Sequence, residues 1–427
     1  MITLTVGVAL GRFVLVGSGR VEAPPALEQA LAAQIAKLEQ AVAAQPDNVS
    51  ALASLGVGYT RRAAQVGDPT FYSLAGQAFD KADKLEPDDP ATLLGRGNLE
   101  LSLHQFPKAL KDGQRALEAL PGNASALGVI VDAQVELGQY EDAADSLQQM
   151  LDLRPSLAAL SRASYLRQLH GDLPGALIAM RQAQAAGSGS PFDLGTVTAL
   201  IGDLHFVDGG LDAAEAAYDR ADRTASGIVA AAVGRAKVLA AKGERSTAIR
   251  TLSAAVDRHP HLAGIVLLGE LQALDGRDQD ASDAFDLVRA IATLQRSSGQ
   301  VLDLEMALFE ADHGDPARAV DLARAAYAAR PDNVFAADAL AWSLLQDGRA
   351  DEAVRYTDQA MRLSTADPLL RYHSAEVLAA AGHTDRARAE LQAAFDLTAW
   401  VSFHRAADAA ALARQLGVPV PEPLRRR

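Results

Sequence analysis

Nine histidines, 54 carboxylates and no cysteine are what this chain of 427 residues offers for chemistry. A metal site on a helix wants imidazoles one helical turn apart, or thiolates in a short loop. The nearest pair, His259 and His261, instead brackets Pro260 in a turn, and His373 and His383 fall on different helices. Glycines 7, 11, 17 and 19 are as dense as those of a phosphate loop, yet no Lys-Ser or Lys-Thr follows and no helix starts there. The many carboxylates form no pair whose context would shift a pKa. The chain is therefore expected to be non-catalytic, with no catalytic residue, no metal and no cofactor.

Charge and composition narrow the partners. Forty basic and 54 acidic residues give a net charge of -14, the wrong sign for nucleic acid, whose phosphates demand a basic face. A neutral or basic protein or peptide suits it better. Without cysteine there is no disulfide framework. Apolar residues make up 49% but aromatics only 5%, which suits close-packed helices better than strands. A chain this long holds either a few domains of about 100–200 residues or an array that grows by repetition.

The stretch ELGQYEDAADSLQQMLDLRP, residues 136–155, decides for the array. Aligned on its Ala143, small residues recur at Ala75, Ala109, Ala176, Ala214, Ala248, Ala281, Ala319, Ala353 and Ala387, at steps of 33, 34 or 38. Five positions earlier stand Gly138, Gly171, Gly209, Gly243, Gly276, Gly314, Gly348 and Gly382, and twelve positions later come Pro87, Pro121, Pro155, Pro260 and Pro331. The glycine stops a first helix with left-handed backbone angles. The alanine lets two antiparallel helices approach, and the proline ends the second helix. Asp47-Asn48, Asp88-Asp89 and Asp332-Asn333 are placed to cap the next one.

Glycine, alanine and proline in this register resemble the tetratricopeptide repeat family, over roughly residues 46–397. Three motifs, DALAWSLLQDGR (338–349), LLRYHSAEVLAAAG (369–382) and FEADHGDPARA (309–319), are similar to tetratricopeptide proteins of actinobacteria whose function is unsettled. The resemblance implies an all-α fold, a right-handed α-solenoid of about ten helix-turn-helix repeats, and a concave groove lined by positions 2, 5, 9 and 12 of each unit. With the aligned alanine as position 20, groove candidates include Tyr165, Asp203, Phe206, Phe335, Trp342 and Tyr372. Phe335, Trp342 and Tyr372 come from adjacent copies and are expected to form an aromatic strip that clasps a peptide. Position 9 offers only Asn98 toward the basic clamp with which some members grip a chaperone's terminal carboxylate, and Leu94 stands where its lysine belongs. The resemblance implies a protein-interaction scaffold binding a segment in the groove, or alternatively a structural, assembly or regulatory subunit of a cell-envelope complex.

The expected division is an apolar N-terminal segment with linker (1–25), a capping half-repeat helix (26–45), the array (46–397), a C-terminal capping helix (398–418) and a disordered tail (419–427). Extra residues fall in RRAAQVGDPTFYS (61–73), near SGSP (188–191) and near LQRSSG (294–299), the last two being candidate hinges. The apolar run from Ile2 to Leu10 lacks a preceding basic residue, and Arg12 interrupts its continuation, so it is too short and broken to span a bilayer. It is read as the remnant of an export signal. Membrane association through residues 1–20, with an anchored or extracytoplasmic location, and a cytoplasmic location both stay open.

Overall fold

Glycine, proline and short Asx caps divide the chain into antiparallel helices. The computed structural model describes residues 25–187, 190–258 and 260–425; the segment 1–20, His259 and part of the 188–191 insertion lie outside them. Among the described residues there are 22 α-helices, one 3-10 turn and no strand. A first helix, α1 (Pro25–Ala44), precedes ten pairs. The pairs are α2 (Val49–Val66) with α3 (Thr70–Leu85), α4 (Pro90–Ser102) with α5 (Phe106–Ala119), α6 (Ala124–Leu137) with α7 (Tyr140–Leu153), α8 (Leu157–Leu169) with α9 (Leu173–Ala186), and α10 (Pro191–Val207) with α11 (Leu211–Thr224). Then follow α12 (Val229–Ala241) with α13 (Arg245–Arg258), α14 (Leu262–Leu274) with α15 (Asp278–Ser297), α16 (Asp303–His313) with α17 (Pro316–Ala329), α18 (Val334–Gln346) with α19 (Ala350–Ala360), and α20 (Pro368–Ala380) with α21 (Thr384–Leu397). Helix α22 (Ala406–Leu416) closes the stack. No described helix is long and apolar enough to cross a membrane.

The positions read from the sequence do their work locally. Nine of the ten aligned alanines are completely buried and Ala281 is 3% exposed; a larger side chain there would overpack the pair, at about 1–3 kcal/mol. Asn48, Asp89 and Asn333 accept hydrogen bonds from the backbone N–H groups of Ala51, Thr92 and Phe335. Seven of the eight turn glycines have positive φ. Gly314 is the exception, with φ -146°; beside it the Glu310 side chain accepts from the Asp315 N–H at 3.3 Å.

Two of the three insertions lengthen helices. Residues 61–66 extend α2 until Gly67 stops it at φ 66°, and the residues before Ser298 extend α15 to 20 residues. Within the tail, Glu422–Leu424 form the 3-10 turn, and Leu424 is fully buried. Burying that leucine is worth about 1.5–3 kcal/mol.

The coil closes on itself, which no single repeat announces. Turns inside pairs lie on one edge of the ribbon of helices, and turns between pairs lie on the other. The first edge of the early repeats docks on the second edge of the late ones. Val301 N–H donates to Leu103 O at 3.0 Å, and the Gln105 amide donates to Gly299 O at 2.8 Å. Arg330 donates to the Glu136 carboxylate at 2.8 Å, Asn333 to Glu136 O at 3.0 Å, and Val334 N–H to the Tyr140 hydroxyl at 3.1 Å. Ala366 N–H reaches Gln168 O at 3.1 Å. Several of these partners are 194 or 197 residues apart, just under six repeats, so one turn of the superhelix lies directly on the next. A Cβ built on Gly138 would come within 2.1 Å of the Asp332 carbonyl carbon, whereas Gly243, Gly276, Gly348 and Gly382, on the free edge, would meet nothing within 4 Å.

Candidate functional site in the bore of the coil

Inside the coil lies a partly open cavity of about 200 Å³. Every helix that lines it is the first of its pair: α8 gives Gln168, α10 Asp203 and Phe206, α12 Val233 and Lys237, α14 Val266 and Glu270, α16 Leu308, Asp312 and His313, and α20 Leu369 and His373. The remaining wall is residues 400–405, WVSFHR. The chain leaves α21 at Leu397 and stays non-helical until Ala406, so the expected terminal cap is helical only in its second half. The first half turns inward. Trp400, Val401 and Phe403 are each about 6% exposed or less; the Trp400 and Phe403 rings stack at 5.5 Å, and Phe403 lies 6.5 Å from Phe206.

The polar end of this segment reaches the floor of the bore. His404 Nδ1 lies 3.0 Å from Glu270 Oε1, and the same oxygen lies 3.1 Å from His313 Nε2. Asp312 Oδ1 accepts from Trp342 Nε1 at 2.9 Å and from Arg405 at 3.1 Å. His404 Nε2 stands 3.8 Å from that oxygen, near enough for an ion pair but too far for a hydrogen bond. Burial acts against the His404 charge, but Glu270 and Asp312 outweigh it and raise its pKa to about 10. Burial likewise acts to raise the Glu270 pKa, yet the His404 and His313 rings hold it down to about 2. Burial would raise Asp312 too, and its contacts with His404 and Arg405 keep it well below the usual carboxylate range. Two cations of one segment thus sit on two largely buried carboxylates of the array, where such pairing is stronger than at the surface.

The sequence-derived groove residues fall in three places. Asp203 and Phe206 line the cavity; Asp203 also accepts from the Tyr218 hydroxyl at 2.8 Å, and burial, opposed by Lys237 and that hydrogen bond, raises its pKa to about 6. Tyr165 packs in an apolar cluster with Leu127 and Val131, which Phe335 also joins. Trp342 and Tyr372 do meet, with ring centroids 6.2 Å apart, but they are 1% and 0% exposed. The strip is covered by its own chain: the Arg405 guanidinium lies over the indole at 5.4 Å, and Val401 shares the cluster that holds both rings. Sequence reading missed Asp312, His313 and His404. The first two stand one turn beyond the position-9 residue of their repeat, and the third lies in the presumed cap; their only signal was histidine opposite an acidic groove.

Stacked two-helix units with a lined interior define an α-solenoid of helical repeats. Residues 129–191 and 344–398 match the tetratricopeptide repeat family. The register of ten alanines carries the same spacing through the residues between and around these two matches. No curated protein matches it. Among solved structures it is similar to a thermophilic TPR protein of Thermus thermophilus, at 22% identity over 43% of this chain and 98% of that one, TM-score 0.38. It is also similar to a tetratricopeptide repeat protein of Parabacteroides merdae, at 17% identity, 56% and 93% coverage and TM-score 0.33, and to yeast Tom70, at 13%, 85% and 96%, and 0.36.

Proposed function

We propose that this protein is a non-catalytic scaffold whose concave bore binds a peptide segment of mixed aromatic and basic character. One observation carries the reading. The bore already holds such a segment, TAWVSFHR (398–405), through stacked rings and two cations on Glu270 and Asp312. A partner that presents rings followed by positive charge would replace each of those contacts, as an extended peptide does in a preformed groove. The net charge of -14 favours the same kind of partner. Asp203 and Phe206, which border the segment, would extend the binding surface beyond it.

The test titrates a fluorescent peptide of sequence TAWVSFHR into the full-length protein and into its Trp400→Ala/Phe403→Ala variant, whose own segment is weakened. Saturable binding that is tighter in the variant than in wild type, and weaker when Asp312→Asn is added, is the expected result. Absence of saturable binding to both proteins, or binding indifferent to Asp312→Asn, refutes the groove reading.

A further inference from the structure

We infer that Glu270, His313 and His404 form a binding site for one divalent transition-metal ion, of the zinc class, which fastens residues 398–405 to the bore. The inference goes beyond the scaffold reading and does not depend on it. The donors are one carboxylate oxygen and two imidazole nitrogens, brought from α14, α16 and the inward segment. Two nitrogens exclude the all-oxygen preference of calcium and magnesium, and the lack of thiolates leaves a borderline ion such as Zn²⁺, Co²⁺ or Ni²⁺.

Geometry supports the assignment. An ion held at about 2.0–2.2 Å by each of three ligands in a tetrahedral site sets the donors about 3.3 Å apart. Here Glu270 Oε1 lies 3.0 Å from His404 Nδ1 and 3.1 Å from His313 Nε2, and all the donor atoms lie within 4.8 Å of one another. Two edges of the ligand triangle are therefore in place, and the third closes with a small ring movement. The three residues face the 200 Å³ cavity, from which water can complete the coordination.

The outer contacts also fit. The His313 ring stacks on Phe285 at 4.4 Å and 19°, which fixes its plane. His404 Nε2, the nitrogen turned away from the ion, is buried with no hydrogen-bond partner and points to Asp312 Oδ1 at 3.8 Å. Coordination through Nδ1 would place the ring proton on Nε2, where a shift of under about 1 Å lets it donate to Asp312. A carboxylate behind a ligating imidazole is the usual support of such sites. The orphan nitrogen thereby gains a partner.

The full-length protein, stripped with chelator, is titrated with Zn²⁺ by calorimetry and with Co²⁺ by visible absorption, and its Tm is read with and without Zn²⁺. One ion per chain, a raised Tm and a four-coordinate Co²⁺ spectrum are expected. His313→Ala and the isosteric Glu270→Gln should weaken binding at least 100-fold, and Asp312→Asn about 10- to 100-fold. Each variant's fold is checked by circular dichroism, and Glu270→Gln covers the case in which an alanine variant does not fold. Absence of stoichiometric binding, or equal Zn²⁺ affinity in wild type and Glu270→Gln, overturns the site. Peptide binding measured in chelator reports on the scaffold reading separately, so either can fail alone.

Discussion

Arg330 and Glu136 are separated by 194 residues, yet their side chains meet at 2.8 Å with only about a tenth of each exposed. Glu136 lies near the end of α6 and Arg330 just after α17, where one turn of the coil lies on the next. Burial pushes the Glu136 pKa up, and Arg330 opposes it. Removing the guanidinium leaves a carboxylate buried with its charge uncompensated.

Arg330→Ala should therefore cost about 3–5 kcal/mol, far more than an exposed pair such as Arg386 with Asp358, where about 0–1 kcal/mol is at stake. Urea denaturation of both alanine variants gives the comparison. Equal losses would mean that the contact between turns is not stabilising.

Glycine substitutions separate the docked edge from the free one. Gly138 and Gly348 have φ 79° and 75°, so alanine pays about 1–2 kcal/mol at either for left-handed angles. Only at Gly138 would the new Cβ strike backbone, 2.1 Å from Asp332 C, adding about 1–3 kcal/mol of overpacking. Gly138→Ala should thus unfold at clearly lower urea than Gly348→Ala. Matching midpoints would contradict the closed coil.

Trp342 calls for a gentle change. Trp342→Ala would empty a fully buried site at about 3–5 kcal/mol, and loss of a partner would then report only on folding. Trp342→Phe keeps a ring against His373, which stacks on the indole at 3.6 Å, and deletes the donor to Asp312. A cost of about 1–3 kcal/mol is expected for that lost hydrogen bond to a charged group. A variant as stable as wild type would show that Arg405 alone satisfies Asp312.

Glu100 supplies the pH dependence. It is 9% exposed, and burial, helped by Asp112 and opposed by Arg96 and Lys108, raises its pKa from 4.5 to about 8. The folded state holds this proton more tightly than the unfolded chain, so the stabilisation is complete below pH 4.5 and is lost as pH rises through about 8. Glu100→Gln, which cannot ionise, should show a smaller fall in urea midpoint between about pH 5 and pH 9. An undiminished fall in the variant would refute this origin.

The sequence made the repeat legible because turning, close approach and stopping are local demands, met by Gly138, Ala143 and Pro155 within one unit. The coil's closure was not legible, because Tyr140 meets Val334 and Leu103 meets Val301 through turn residues that share no period. The bore was legible in part. Glu270 and Asp203 fall on groove positions of their helices, but Asp312 and His313 lie just past the groove positions, and His404 acts only because the chain bends inward before α22. Trp342 and Tyr372 lie together; what covers them comes from residues 401 and 405, whose path periodicity does not encode.

An open array of repeats is a one-dimensional lattice, in which stability is a sum over neighbours and folding nucleates anywhere. Joining Glu136 to Arg330 and Gln105 to Gly299, each across 194 residues, turns that lattice into a cylinder. Each such join must first close a loop of that length, so contact order rises and folding slows relative to an open array of equal length. Each join couples an early repeat to a late one, so the stability of the coil is no longer a sum over neighbouring repeats alone.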